Sequence, residues 1–427
     1  MIVSNITFGA KVSSIPVLKE ISGKKVALPE FNLGGFKAMI GCDVFTPECK
    51  IEKHDLLFKD KKLIAIDDFD EKNVGGKIDY VFMDGKTVTP AIFDEHIHGG
   101  YGVSFHDSSE DEIRRLLKKL ANNGTGAVLA TTLPGSAEQI RNQMVILNNI
   151  IKHPDEGAAK MYGIHLEGPF LSPEKKGIHS LRDLMLPTIE NYESFNPVNV
   201  KMVTLAPELD KDLKLTTYLQ DRGVIVSAGH SVADAKDILD TDSLDKSLLE
   251  EDLFDINFAP ARIKRVTHIF NAMAPFHHRI PTITNVGLLH NDVTAELLAD
   301  GISVKPSVIN MIMGLKPKDK LVLISDALPN AGLKENFRMN NKDIYIDNNM
   351  VPKDADGVLA GNMKFLHDVA KRLIECTNMT FRNFIRYASV NPAKSFGKLD
   401  EFALQVGTKP TFSVWDNEKL VPEKTFV

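Results

Sequence analysis

The stretch Tyr162–Ser180 reads YGIHLEGPFLSPEKKGIHS, and it opens as a buried strand with apolar Tyr162, Ile164 and Leu166. The pattern then breaks. His165 and Glu167 sit among the apolar residues, Gly168–Pro169 stops the run, and a second histidine, His179, follows in a loop rich in Pro, Lys and Gly. A strand that ends on a carboxylate is expected where its end faces a reaction site rather than a core.

Working outward from this run, seven others of the same texture appear: residues 91–98, 125–133, 200–207, 224–230, 265–270, 294–300 and 321–327. Helical patterns lie between them. In SSEDEIRRLLKKLANNG, Ser109 and Glu112 are spaced as a capping box, Ile113, Leu116, Leu117 and Leu120 repeat at helical spacing, and Gly124 suits the end. SAEQIRNQMVILNNIIKH and KPSVINMIMGL read the same way. Eight β-α repeats predict a (β/α)8 barrel. An open doubly wound sheet is the competitor, but no glycine-rich nucleotide fingerprint follows the first strand. Residues 1–88 and those after 385 look β-like, with a hairpin turn at Lys59–Lys62 and a final run GTKPTFSVWD. The expected division is therefore a small β-sandwich domain built from residues 1–88 and 386–427, flanking a barrel over 89–385.

Composition narrows the class. A net charge of −6, with no long basic run, speaks against nucleic acid and against an anionic membrane surface. No apolar run approaches the roughly 18 residues of a membrane span. MIVSNITFGAKVSS lacks the pattern of a signal peptide, and three cysteines (Cys42, Cys49, Cys376) in so long a chain fit a reduced, cytoplasmic setting. DTDSLDKSLLEEDLFD, residues 240–255, is expected to be a solvated helix-loop insertion.

The ends of the eight runs carry His96 and His98 (first), Glu167 (third), His230 (fifth), His268 (sixth) and Asp326 (eighth). In a barrel these ends converge on one face. His96 and His98 are two residues apart, which on a strand puts both on one face. Alone they read equally well as surface histidines or as a metal grip. Nitrogen and oxygen donors together suit Zn, Fe, Mn or Co rather than calcium. Asp94 before them and Gly99–Gly100 after them fit a tight turn at the barrel mouth. Asp326 reads either as a helix N-cap or as a carboxylate that takes a proton from water and passes it to a leaving amine.

HLEGPF with KKGIH, GHSVADA, THIFNAMAPFHHR, ISDA and GVLAGN together resemble the N-acetylglucosamine-6-phosphate deacetylases of the amidohydrolase superfamily, from about Gly41 to Asp416. The resemblance implies a metal-dependent (β/α)8 barrel with a small β-sandwich from both termini. It implies hydrolysis of the acetamide of N-acetylglucosamine 6-phosphate by metal-activated water, with Asp326 as general base and then acid. Glu167, His230 and His268 would be metal ligands, and retention of His96 and His98 would allow two ions rather than one. Ile178 and His179 would touch the sugar and acetamide, with His179 assisting catalysis at the carbonyl oxygen. Asn271 and Ala272 would contact the sugar phosphate. Leu359, Ala360 and Gly361 would line the pocket. Arg279 would bind the phosphate in a neighbouring subunit's site, implying a homodimer. The chain departs from the family at Ser303, where a histidine is usual, and over Asp240–Lys264, which is longer than expected. Smaller departures are Asn362 and Pro410–Phe412. Ser303 keeps a second substrate in view, N-acetylgalactosamine 6-phosphate. A non-catalytic sugar-phosphate-binding barrel is the contrasting reading.

Overall fold

The computed structural model describes residues 24–67, 76–243, 255–339, 342–348 and 350–427. Eight parallel strands form the central sheet: β1 (Ile92–Ile97), β2 (Thr125–Thr132), β3 (Lys160–Glu167), β4 (Val200–Leu205), β5 (Ile225–Ala228), β6 (Arg265–Val266), β7 (Thr294–Leu298) and β8 (Leu321–Ile324). Each is hydrogen-bonded to its chain neighbour. The ring closes at the mouth rather than along the strands. Ile97 pairs with Ala327, His98 N donates to Ala327 O at 2.9 Å, and Asp326 N donates to His96 O at 2.9 Å. The closing bonds therefore join the segments that carry His96, His98 and Asp326.

Helices α1 (Glu110–Asn122), α2 (Ala137–Lys152), α3 (Ile189–Glu193), α4 (Lys214–Gln220), α5 (Ile283–Leu289), α6 (Pro306–Leu315) and α7 (Leu366–Cys376) follow the strands, leaving only short 3-10 turns after β5 among the described residues. The expected Ser109–Glu112 capping box forms, and α2 has one of its own at Ser136 and Gln139. Ser109 N donates to Glu112 Oε2 at 2.9 Å, and Ser136 N donates to Gln139 Oε1 at 2.9 Å. The apolar stripe Ile113, Leu116, Leu117 and Leu120 is buried against the barrel. Gly124 takes φ 92°, the left-handed close of α1.

Strands from both ends of the chain share one seven-stranded sheet. Its long strand Phe36–Phe45 changes partner at Gly41 (φ 69°): Lys37–Ile40 pair with Asp79–Phe82, and Asp43–Val44 pair with Thr87–Val88. Phe412–Asp416 pairs with Lys86–Pro90 on one side and Val421–Phe426 on the other. The turn at Lys59–Lys62 joins two antiparallel strands, with Asp60 and Lys61 both at positive φ.

Three expectations change. The chain after 385 is not β-like at once but helical through Ser395 and again over Leu399–Phe402, with Phe384, Tyr387 and Ala388 burying one face at helical spacing; β structure resumes at Phe412. There Phe402 stacks on Phe93 of β1 at 5.6 Å between centroids, closing the barrel floor. Asp94 is not in a turn. It lies inside β1, where its Oδ1 accepts from Ser325 N at 3.2 Å. His268 stands two residues beyond β6 rather than within a strand. Of the acidic insertion expected over 240–255, residues 244–254 lie outside the described residues. Among the described residues no helix is long and apolar enough to cross a membrane.

Candidate active site

Glu167 ends β3 because Gly168 turns the chain there at φ 83°, with a Cβ added at that position meeting Pro134 Cγ at 2.9 Å and Leu171 Cγ at 3.0 Å. Its carboxylate becomes the centre of the mouth. Glu167 Oε1 lies 3.0 Å from His268 Nε2, 3.2 Å from His96 Nε2 and 3.4 Å from His230 Nε2, while Oε2 lies 3.1 Å from His98 Nε2. Asp326 Oδ1 faces His98 Nε2 at 3.3 Å and His96 Nε2 at 3.6 Å. The ligand-capable atoms fall into two groups, His96–His98–Asp326 and Glu167–His230–His268, each with its atoms within 4.8 Å of one another. Asp326 caps no helix among the described residues: its side chain points at the histidines.

The backbone is strained where it presents these side chains. His230 (φ 47°), His268 (φ 29°) and Asp326 (φ 47°) all occupy the left-handed region, which costs non-glycine residues of the order of 1–3 kcal/mol each. Each lies two residues past the end of its strand, so the strain turns the side chain back over the mouth.

Outer partners set the ring orientation. His230 Nδ1 faces Lys175 O at 2.8 Å, His98 Nδ1 faces Thr131 O at 3.3 Å, and His96 Nδ1 faces Glu296 Oε2 at 3.1 Å. An acceptor at Nδ1 places the hydrogen there and turns the Nε2 lone pair inward. The chemistry of this donor set fits a divalent transition ion. His230 and His268 bring their Nε2 atoms within 3.1 Å, and His96 Nε2 is buried with the Glu167 and Asp326 carboxylate oxygens 3.2 and 3.6 Å away.

The electrostatics agree. Burial acts to discharge His96, yet the Glu167 carboxylate overcomes it and raises the imidazole well above its usual range. Burial likewise opposes charge on His98, but hydrogen bonds with Asp326 and Glu167 push it up to about 9. Burial would raise Glu167, and the charge of His96 with hydrogen bonds from His230 and His268 holds it well below the carboxylate range. Burial would raise Asp326 too, and the His98 contact keeps it low. Buried Glu167 and partly exposed Asp326 thus draw positive charge onto the mouth, the demand a divalent cation meets.

His165, the first histidine of the opening stretch, plays another part. It is wholly buried, its Nε2 lies 2.8 Å from Thr204 Oγ1, and burial lowers it well below the usual range, so it is a neutral core histidine beneath the site. His179 is buried with its ring 5.2 Å from that of His230. Burial, with His230 close by, lowers it to about 3, so it reaches the site as a neutral imidazole. Ile178 is buried beside it, packing in a cluster with Ala360 and Leu328. Leu359 is exposed, and Gly361 (φ 110°) packs against Leu328, with an added Cβ at 2.8 Å from Leu328 Cδ2. Asn271 and Ala272 follow His268 on the same loop, and Asn271 Nδ2 donates to His268 O at 3.2 Å. Arg279 is exposed on the next turn, between exposed Phe276 and Ile280. Ser303 Oγ donates to Asp300 Oδ2 at 3.0 Å, and its N–H donates to Asp300 Oδ1 at 2.7 Å. The short side chain is therefore tied into its own turn.

The sequence reading missed a buried charge network under His96. Arg265, at the start of β6, pairs with Glu95 and donates to Ser395 Oγ at 2.8 Å, and its Nη1 lies 3.7 Å from Glu296 Oε1. Burial pushes Glu95 up to about 7, with Arg265 pulling the other way. Asn362 was noted only as a departure. It donates to Ser325 O at 3.1 Å and its N–H to Asp326 O at 3.3 Å, so it pins the loop that presents Asp326.

The model of the amidohydrolase family matches residues 87–427. The N-acetylglucosamine-6-phosphate deacetylase of Bacillus subtilis is 31% identical over 318 residues, covering 73% of this chain and 76% of that protein. The chain belongs to this amidohydrolase family. The N-acetylgalactosamine-6-phosphate deacetylase of Escherichia coli is also similar, 27% identical over 83% of this chain and 88% of that protein. Among solved structures, the N-acetylglucosamine-6-phosphate deacetylase of Pasteurella multocida superposes with a TM-score of 0.78 at 22% identity, covering 92% of this chain and 98% of that one. At that identity the likeness speaks for the fold, an amidohydrolase barrel with an attached β layer. Membership of this metal-dependent family and the two ligand groups point the same way.

Proposed function

We propose that this amidohydrolase removes the acetyl group of N-acetylglucosamine 6-phosphate, giving glucosamine 6-phosphate and acetate. The observation that carries the reading is the convergence of four imidazoles and two carboxylates, drawn from β1, β3, β5, β6 and β8, on one mouth. Similarity to the named deacetylases supplies the substrate class.

Glu167, His230 and His268 would hold one divalent ion in this reading, and His96, His98 and Asp326 would support a second. A bound ion supplies Lewis acidity to the acetyl carbonyl and lowers the pKa of water. Asp326, held as a carboxylate, takes the proton of the attacking water and delivers it to the departing nitrogen. Neutral His179 donates to the carbonyl oxygen as negative charge develops there. Ile178, Leu359, Ala360 and Gly361 shape the acetamide pocket, and Asn271 and Ala272 meet the sugar phosphate. Arg279 binds the phosphate of a neighbouring subunit's substrate, so the working form is a homodimer; its exposure between Phe276 and Ile280 supports this. The seven-stranded β layer, whose strands lie within residues 36–90 and 412–426, is taken as one domain beside the barrel. The cytoplasm is the proposed location, supported by three free cysteines.

Ser303, standing where the family usually has a histidine, keeps N-acetylgalactosamine 6-phosphate as the second reading, which similarity to the Escherichia coli enzyme supports. Dialysis against a strong chelator tests the metal reading. Acetate release should fall to background and return when Zn2+, Fe2+, Mn2+ or Co2+ is restored. Full activity in protein stripped of metal would overturn it.

A further inference from the structure

We propose that Glu296 is a positioning residue for His96: braced by the Arg265–Glu95 pair, it holds the His96 ring with Nδ1–H outward and the Nε2 lone pair facing Glu167 and Asp326. The inference rests on the reading that His96 is a metal ligand.

The geometry divides the labour of the two Glu296 oxygens. Oε2 meets His96 Nδ1 at 3.1 Å, within hydrogen-bond distance. Oε1 stands 3.7 Å from Arg265 Nη1, too far for a hydrogen bond but close enough for a charge to steady it. Arg265 does not need Glu296 as its own counter-ion, because it already pairs with Glu95 and bonds Ser395. The guanidinium therefore offsets the cost of a second buried carboxylate, which would otherwise be heavy. Glu296 is wholly buried, and its carbonyl accepts Ile269 N at 2.9 Å, which ties β7 to the loop carrying His268.

His98 and His230 are oriented by backbone carbonyls, so His96 is set apart in having an anion behind it. A carboxylate on the outer nitrogen both fixes the tautomer and makes the inner nitrogen a better donor. A glutamine at 296 would keep the shape, lose the charge, and could turn its NH2 toward Nδ1, which would drive the histidine hydrogen to Nε2 and block the lone pair.

The test titrates metal-free full-length protein with Zn2+ against a chromophoric chelator, in wild type, His96→Asn, Glu296→Gln and the double variant. The binding step lost or weakened in His96→Asn should weaken about 10–100-fold in Glu296→Gln. In the His96→Asn background Glu296→Gln should add almost nothing, because a positioning residue acts only through its ring. The visible spectrum of the Co2+-loaded protein should shift in Glu296→Gln, a change that mere space-filling would not produce. Wild-type affinity in folded Glu296→Gln, or an equal loss with and without His96, overturns the proposal. Should Glu296→Gln not fold, Glu296→Asp, which keeps the charge but withdraws it by one methylene, must show the same His96-dependent loss. Identical Zn2+ binding by wild type and His96→Asn would instead overturn the reading of His96 as a ligand.

Discussion

Asp326→Asn should lower kcat for acetate release by about 10²–10⁴-fold, the scale of a lost general acid–base at an ordered site, while the protein keeps metal at Glu167, His230 and His268. Asparagine fills the same space at the strained φ of 47° and tolerates that region well. It can accept a hydrogen bond from His98 but cannot take a proton from water. Burial alone would make Asp326 a poor anion; the contact with His98 keeps it charged and ready to accept. The two measurements needed are steady-state turnover and metal content of the same preparation. Retained turnover would remove Asp326 from its role, whereas lost metal together with lost turnover would make it a ligand first.

Arg265→Met should cost about 3–5 kcal/mol of stability, because it leaves buried carboxylates without their cation. Arg265 is 3% exposed and Glu95 and Glu296 are 0% exposed, so water cannot replace it. Glu95 already sits near 7 through burial with Arg265 in place, and removing the guanidinium drives it higher and toward the neutral acid. Chemical denaturation should show the loss as a lower midpoint. Arg265→Met combined with Glu95→Leu should recover part of it by replacing the pair with apolar groups. An unchanged midpoint in the single variant would mean that the network is solvated rather than buried.

Much of this was open to reading in the chain. The eight runs are apolar because parallel strands are covered on both faces, and all eight appear as strands within a few residues of their expected ends. The four histidines and two carboxylates that converge at the mouth were visible because each interrupts an apolar run or directly follows one. Glu95, Arg265 and Glu296 were harder to see. In β1 the register slips between Asp94 and Ile97, so strict alternation does not tell which way Glu95 and His96 turn. Glu296 lies in TAELLAD as one carboxylate among apolar residues, the same signal that drew attention to Glu167, but it lies within the strand rather than at its end. The helical stretch up to Phe402 falls where β-like texture is expected after 385, because that expectation rests on residues 407–416 and the last four residues, and Pro392 and Gly397 obscure the helical period before them. Positive φ at His230, His268 and Asp326 leaves no mark in the sequence, since no glycine signals it.

The most direct test of the account is acetate release by the metal-loaded protein from N-acetylglucosamine 6-phosphate, N-acetylgalactosamine 6-phosphate and unphosphorylated N-acetylglucosamine. The account predicts the highest kcat/KM on N-acetylglucosamine 6-phosphate and a loss of at least about tenfold without the phosphate, the equivalent of roughly 1.4 kcal/mol of binding. A higher kcat/KM on the galactosamine epimer would move the assignment to the second reading, and no acetate from any of the three would contradict it altogether.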